Sequence, residues 1–161
     1  MERGVAKEER FELAALPHHP RGYSTDLPPS GAWCPNDPVG DRQFVEVAPD
    51  RPFVLEGGGV LHDVVMAYET WGELSAEADN AILVCHALTG DAHAFGEGGS
   101  GQPTPGWWNG VIGAGCGIDT DRYFVVCVNV LGGCQGSTGP ASTEASTGLP
   151  YGSRFPTVTI R

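Results

Sequence analysis

The stretch Asn80-Ala81-Ile82-Leu83-Val84-Cys85-His86-Ala87 is apolar through its middle without alternating, and Tyr123-Phe124-Val125-Val126-Cys127-Val128-Asn129-Val130 repeats the pattern later in the chain. Strands buried on both faces, as in a parallel sheet covered by helices, read this way, whereas a half-exposed strand alternates. A buried helix segment would give a similar run, but the shortness and β-branching of these two favour strand. Each run leads into a polar, glycine-rich loop, 88–101 and 131–152 respectively. In open α/β sheets the loops at the carboxyl ends of the strands are where ligands bind, so these two loops are the candidate functional segments.

Working outward, Pro52 to Glu56 and the longer run from Val60 to Thr70 flank Gly57-Gly58-Gly59. Two β-rich runs joined by glycines predict a hairpin, because glycine enters the φ > 0 conformations that such turns demand. It is expected to open the sheet in antiparallel fashion. Upstream, Pro17 to Gly40 is dense in proline, glycine and polar residues without lasting periodicity. Residues 1–43 therefore read as a flexible leader with Trp33 as a single anchor, and 44–161 as the structured part. Between the two buried runs, Gly106-Trp107-Trp108-Asn109-Gly110 is expected to begin a short crossover helix. Adjacent indoles cannot share one side of it, so one should enter the core and the other line a pocket or partner surface.

Composition narrows the function classes. Twenty acidic against nine basic residues give a net charge of −11 over 161 residues, which repels nucleic acid and anionic lipid at long range. Met1 to Arg10 alternates charges and lacks the apolar core of a signal peptide, and no run approaches a membrane span. The expected setting is the cytoplasm, with neither nucleic-acid nor membrane partners. Five cysteines, an odd number without a C-x-x-C pair, argue against a disulfide framework and a zinc knuckle, and several are expected in buried strands as thiols. Glycine at 24 and proline at 13, spread among apolar segments, fit a loop-rich enzyme section.

Two constellations could carry chemistry. His86-Ala87-Leu88-Thr89-Gly90-Asp91-Ala92-His93 follows directly on a buried strand. In α/β-hydrolases one oxyanion-hole N–H comes from the loop after the third strand, and such a donor contributes about 3 kcal/mol to a tetrahedral intermediate. Leu88 or Thr89 is the candidate donor; the plainer alternative is that His86 and His93 only satisfy hydrogen bonds within the fold. The second constellation, Leu131 to Pro140, is glycine-rich, yet it has neither a Walker lysine-serine pair nor a G-x-G-x-x-G opening a helix. It reads equally as a ligand-contacting loop and as a tight structural one. Ser137 lacks a G-x-S-x-G setting and is not read as a nucleophile, and nothing in the sequence brings Cys134 to His86 as a thiol–base pair. His62 with Asp63, or Asp91 with His93, would need a third ligand to hold a metal, and no metal is expected.

Taken together, Ala67-Tyr68-Glu69-Thr70-Trp71-Gly72, the stretch from Asn80 to His93, Gly106-Trp107-Trp108 with Gly113 to Thr120, Asn129 to Pro140, and Thr147 to Arg161 resemble the homoserine O-acetyltransferase family. No single block decides this; their joint occurrence in order is specific. The resemblance implies the N-terminal part of an α/β-hydrolase fold, with an antiparallel hairpin leading into parallel strands and the sheet incomplete. It also implies acetyl transfer from acetyl-CoA, as co-substrate and not bound cofactor, to the hydroxyl of L-homoserine in the methionine pathway. A Ser-Asp-His triad and a homodimer are implied for the complete enzyme.

Residue by residue, the resemblance places Leu88 at the oxyanion-hole backbone position and Thr89, Gly90, Asp91 and Ala92 in the loop bordering the acyl and acceptor pocket. It places the triad serine in a glycine-rich elbow shortly after the Thr-Ile-Arg stretch that ends at Arg161. None of the triad is therefore expected within these residues, and the isolated chain is expected to be inactive. The Leu88 to His93 loop favours an acetyl over a succinyl donor, while Cys116 stands where the family commonly has lysine. Serine O-acetyl transfer, homoserine O-succinyl transfer, or a non-catalytic binding role for an incomplete hydrolase domain are the alternatives.

Overall fold

The computed structural model describes residues 31–160; most of the predicted leader lies outside them. The main sheet has four strands, β1 (Gln43–Val47), β4 (Val64–Trp71), β5 (Ala81–Val84) and β8 (Phe124–Val128), in the order β1-β4-β8-β5. β1 and β8 each run antiparallel to β4, and β5 runs parallel to β8 with Val84 opposite Cys127. The two apolar runs of the sequence thus form the parallel pair.

The glycine triplet does make a hairpin, β2 (Phe53–Val54) with β3 (Val60–Leu61), closed by Leu55 N–H to Gly59 C=O at 2.8 Å. Gly58 sits at φ +82° there, where a side chain would be strained. This hairpin is a separate two-stranded unit, and the antiparallel opening of the main sheet comes from β1 and β4. The break between β3 and β4 falls at His62 and Asp63, the latter at φ 52°. Two further two-residue strand pairs tie down the loops, β6 (Ile112–Gly113) with β7 (Ile118–Asp119) and β9 (Thr143–Glu144) with β10 (Leu149–Pro150). A single 3-10 turn spans Gly152–Arg154.

Alternation along β4 divides the interior. Val64 and Met66 pack with Leu55, Leu61 and Tyr151 on one side, while Trp71 packs with Val84, Ile112, Val125 and Cys127 on the other. Cross-strand partners share a face, so Glu69, opposite Cys127, lies on the second side.

Two expectations are corrected. β5 is buried on one face only, with Leu83 66% exposed, because among the described residues no helix covers it and no strand pairs with its outer edge. Cys127 alone of the cysteines is fully inside, and Cys85, which follows β5, is exposed. Trp107 and Trp108 do not start a helix: Trp108 N–H bonds Ala94 C=O at 2.7 Å and Gly106 N–H bonds Gly96 C=O at 2.9 Å, so the backbone is held against 93–96. Gly106 is pressed onto the Phe95 backbone and Gly110 turns the chain at φ +87°, which leaves no room for a helical turn. Neither indole enters the core. Both are about two-fifths exposed, with ring centroids 5.1 Å apart.

Candidate active site

The parallel pair β5/β8 brings its two carboxyl-end loops together, and His86 joins them. Its Nε2 lies 3.2 Å from the Val130 backbone N, and its Nδ1 lies 2.7 Å from the Ala87 carbonyl oxygen. A backbone N–H can only donate, so Nε2 must be the bare acceptor and Nδ1 carries the proton that bonds Ala87. The same carbonyl accepts Gly90 N–H at 2.9 Å, closing a turn from Ala87 to Gly90. Gly90 packs closely against the ring's base: a Cβ there would meet His86 Cβ at 3.1 Å.

Leu88, at the tip, is 100% exposed. Among the described residues, neither its N–H nor that of Thr89 makes a hydrogen bond. A peptide is planar and trans, so a carbonyl held from one side aims the N–H of the same unit to the other. The Leu88 N–H therefore points away from His86, as a free donor at the carboxyl edge of the sheet.

The far end of the turn is anchored just as firmly. Asp91 Oδ1 accepts His93 N–H at 2.9 Å, Asp91 C=O accepts the Trp107 indole N–H at 3.0 Å, and Asn129 Oδ1 accepts Ala92 N–H at 2.9 Å. Thr89 is exposed, Gly90 and Asp91 are half-buried, and Ala92 is buried. Of the residues singled out from sequence, Leu88 and Thr89 face open space, whereas Asp91 and Ala92 hold the loop in place.

Behind the turn lies a buried polar network in which sequence reasoning had singled out only His93. His93 Nδ1 is 2.8 Å from Glu69 Oε2, and the Gln102 amide donates to Glu69 Oε1. Arg42 donates to Gly101 C=O at 2.7 Å and to Gln135 Oε1 at 2.8 Å, and Asn129 donates to Gln135 C=O at 2.6 Å. Burial holds the Glu69 carboxyl above its ordinary range even though His93 and Arg42 pull it down, and burial lowers Arg42 despite Asp91 and Glu69. One signal for Glu69 was available: it shares the parity of Val65 and Ala67 in a strand-like run, the face that ends up buried. Asp41, Glu69 and His93 bring ligand atoms within 4.8 Å of one another, but with Arg42 and Gln102 already engaging or bordering the carboxylate, the cluster reads as a charge-balanced anchor.

Ser137 and Thr138 resolve the ambiguity of the second loop. Ser137 Oγ accepts Ala67 N–H at 2.9 Å and donates to Asn129 C=O at 2.6 Å, while Thr138 Oγ1 accepts Val65 N–H at 2.9 Å. Beyond the end of β8, these hydroxyls satisfy the β4 backbone as a neighbouring strand would. Both side chains are buried, and this part of the loop is structural. A cavity of about 310 Å3 lies beside it, lined by Trp33, Glu46, Asp63, Cys134, Thr138 and Tyr151 among others. It includes no residue of the Leu88 turn and no His86, so Cys134 and His86 are not brought together there.

Solved structures resemble the chain in fold. Esterase E22 is 36% identical with a TM-score of 0.65, covering 73% of this chain and 33% of its own. A homoserine O-acetyltransferase from Bacillus anthracis is 35% identical with a TM-score of 0.63, covering 73% of this chain and 32% of its own. The chain is part of an α/β-hydrolase fold. A curated relative, the homoserine O-acetyltransferase of Thermobifida fusca, is 61% identical over 135 residues, 84% of this chain and 35% of the relative. The chain belongs to the homoserine O-acetyltransferase family, and it spans about a third of the length of the curated relatives it matches. No protein-family model matches it.

Proposed function

We propose that this chain forms the first part of the sheet and one oxyanion donor of a homoserine O-acetyltransferase, which transfers acetyl from acetyl-CoA to the hydroxyl of L-homoserine. The single observation that carries the reading is the sequence identity of 61% over 135 residues to a relative of that name. The exposed Leu88 N–H at the carboxyl edge of β5 supports the assigned step. A tetrahedral intermediate places negative charge on the former carbonyl oxygen, and a fixed backbone donor stabilises it without reorganising.

A Ser-Asp-His triad is proposed to come from outside these residues, its histidine deprotonating first the serine and then the homoserine hydroxyl. The 161 residues alone then transfer nothing. Thr89 and Gly90 border the acyl group in this reading. A cytoplasmic homodimer in methionine biosynthesis is the setting it implies.

The fold does not separate transfer from hydrolysis, since an esterase and an acetyltransferase match it about equally. The test is the full-length gene product with acetyl-CoA or succinyl-CoA against homoserine, serine and water. O-acetylhomoserine as main product is expected. Preference for serine, for succinyl-CoA or for water, or acetyl transfer by the 161-residue chain, would overturn the assignment.

A further inference from the structure

The Ala87–Leu88 peptide is fixed by what its carbonyl accepts. Two donors converge on Ala87 O, the Gly90 N–H at 2.9 Å and His86 Nδ1 at 2.7 Å. Either alone would leave the plane of that peptide free to rock about the other bond. The two together fix it, and the Leu88 N–H is rigidly trans to the carbonyl. Hydrogen bonds to a carbonyl also polarise the attached N–H, making it a stronger donor. His86 is in turn held by Val130, the second residue after β8, through Nε2. The ring thereby refers the turn after β5 to the loop after its parallel neighbour.

We propose that His86, protonated on Nδ1 and bare on Nε2, is a positioning residue that sets the direction of the Leu88 N–H by bridging the Ala87 carbonyl and the Val130 N–H. This rests on the reading of Leu88 as an oxyanion donor. His86 itself touches neither the acyl group nor the acceptor, and it transfers no proton. Its contribution is one tautomer held in one orientation. The absence of a Cβ at Gly90 belongs to the same device, since a methyl group there would crowd the seat of the ring at 3.1 Å from His86 Cβ and 3.5 Å from Nδ1.

Nitrogen-15 spectra of the imidazole in the 161-residue chain should show Nδ1 protonated and Nε2 unprotonated; the opposite tautomer overturns the proposal. His86→Phe should speed amide exchange at Gly90 and Val130 by about tenfold or more, as local opening becomes easier. His86→Asn, which keeps a donor near the Nδ1 position, should restore Gly90 protection but not that of Val130. In the full-length product, His86→Phe should lower kcat for acetyl transfer by about tenfold or more with KM for homoserine nearly unchanged, as expected for an interaction that matters only in the transition state, and His86→Asn should recover much of it. Unchanged exchange at both amides, or a loss expressed only in KM, overturns the proposal. If the unmodified full-length product transfers no acyl group, the functional reading fails, while tautomer and exchange still decide whether His86 holds the turn.

Discussion

His93 Nδ1 lies 2.8 Å from Glu69 Oε2, with both side chains almost wholly buried behind the Leu88 turn. Removing one partner leaves the other without its counterpart in the interior. His93→Ala or Glu69→Ala should each lower stability by about 3 kcal/mol or more, read from the urea midpoint. Glu69→Gln should cost less, because it removes the charge and keeps one acceptor.

The same pair gives a pH signature. Burial raises the Glu69 carboxyl above its ordinary value of 4.5, so the folded state binds its proton more tightly than the unfolded state does. The stabilisation is fully present below pH 4.5 and is lost as pH rises through the folded value. Asp119 and Glu144 act oppositely: backbone N–H groups of Gly115 and Asp121 lower the first, and Arg154 lowers the second. Their contribution is present above their ordinary values and lost as pH falls through the folded ones. Glu69→Gln should therefore flatten the decline in stability on the side above pH 4.5 while leaving the acid limb unchanged, as measured by urea unfolding across pH.

Ser137→Ala should leave the Ala67 N–H and the Asn129 C=O without their shared partner. Each buried unsatisfied group costs about 1–3 kcal/mol, so the combined loss should reach about 3 kcal/mol in denaturant unfolding. In the full-length product the chemical step of the folded variant should survive. A Ser137→Ala variant that is stable but wholly inactive would show a role that the buried hydroxyl does not suggest.

Gly72 turns the chain out of β4 at φ +79°, and a Cβ there would collide with the Tyr123 and Thr120 carbonyls. These are backbone atoms and cannot swing aside. Gly72→Ala should lower the thermal midpoint sharply, at a cost of about 3 kcal/mol from overpacking with added backbone strain.

Thiol reactivity should divide by burial. Cys127 is fully buried and its thiol is pushed up to about 12 by burial, whereas Cys85 and Cys134 are exposed. Iodoacetamide near pH 8 should alkylate Cys85 and Cys134 in the folded chain and reach Cys127 only after denaturation, which peptide mass mapping would show.

The outer edge of β5 is unpaired among the described residues, with Leu83 exposed beside it. An apolar edge strand invites pairing with another chain. Leu83→Lys should reduce self-association of the 161-residue chain in light scattering, and unchanged association would place the contact elsewhere.

Local chemistry determined a good deal by itself. The unbroken apolar runs located the two strands that pair in parallel, β5 and β8, although among the described residues β5 is covered on one face only. The glycine triplet marked the hairpin, because only glycine enters that turn without strain. The order of motif blocks marked the family. What depended on distant partners was not legible. That Trp107 and Trp108 sit in a turn follows from Gly106 lying on the Phe95 backbone, a contact that no local window contains. That Ser137 is structural follows from Ala67, distant in the chain but adjacent in space. The sequence placed the candidate donor at Leu88 or Thr89. Only the tertiary structure, by setting His86 between Ala87 and Val130, decided which way that N–H points, since its direction depends on the packing of two loops that the chain visits at different times.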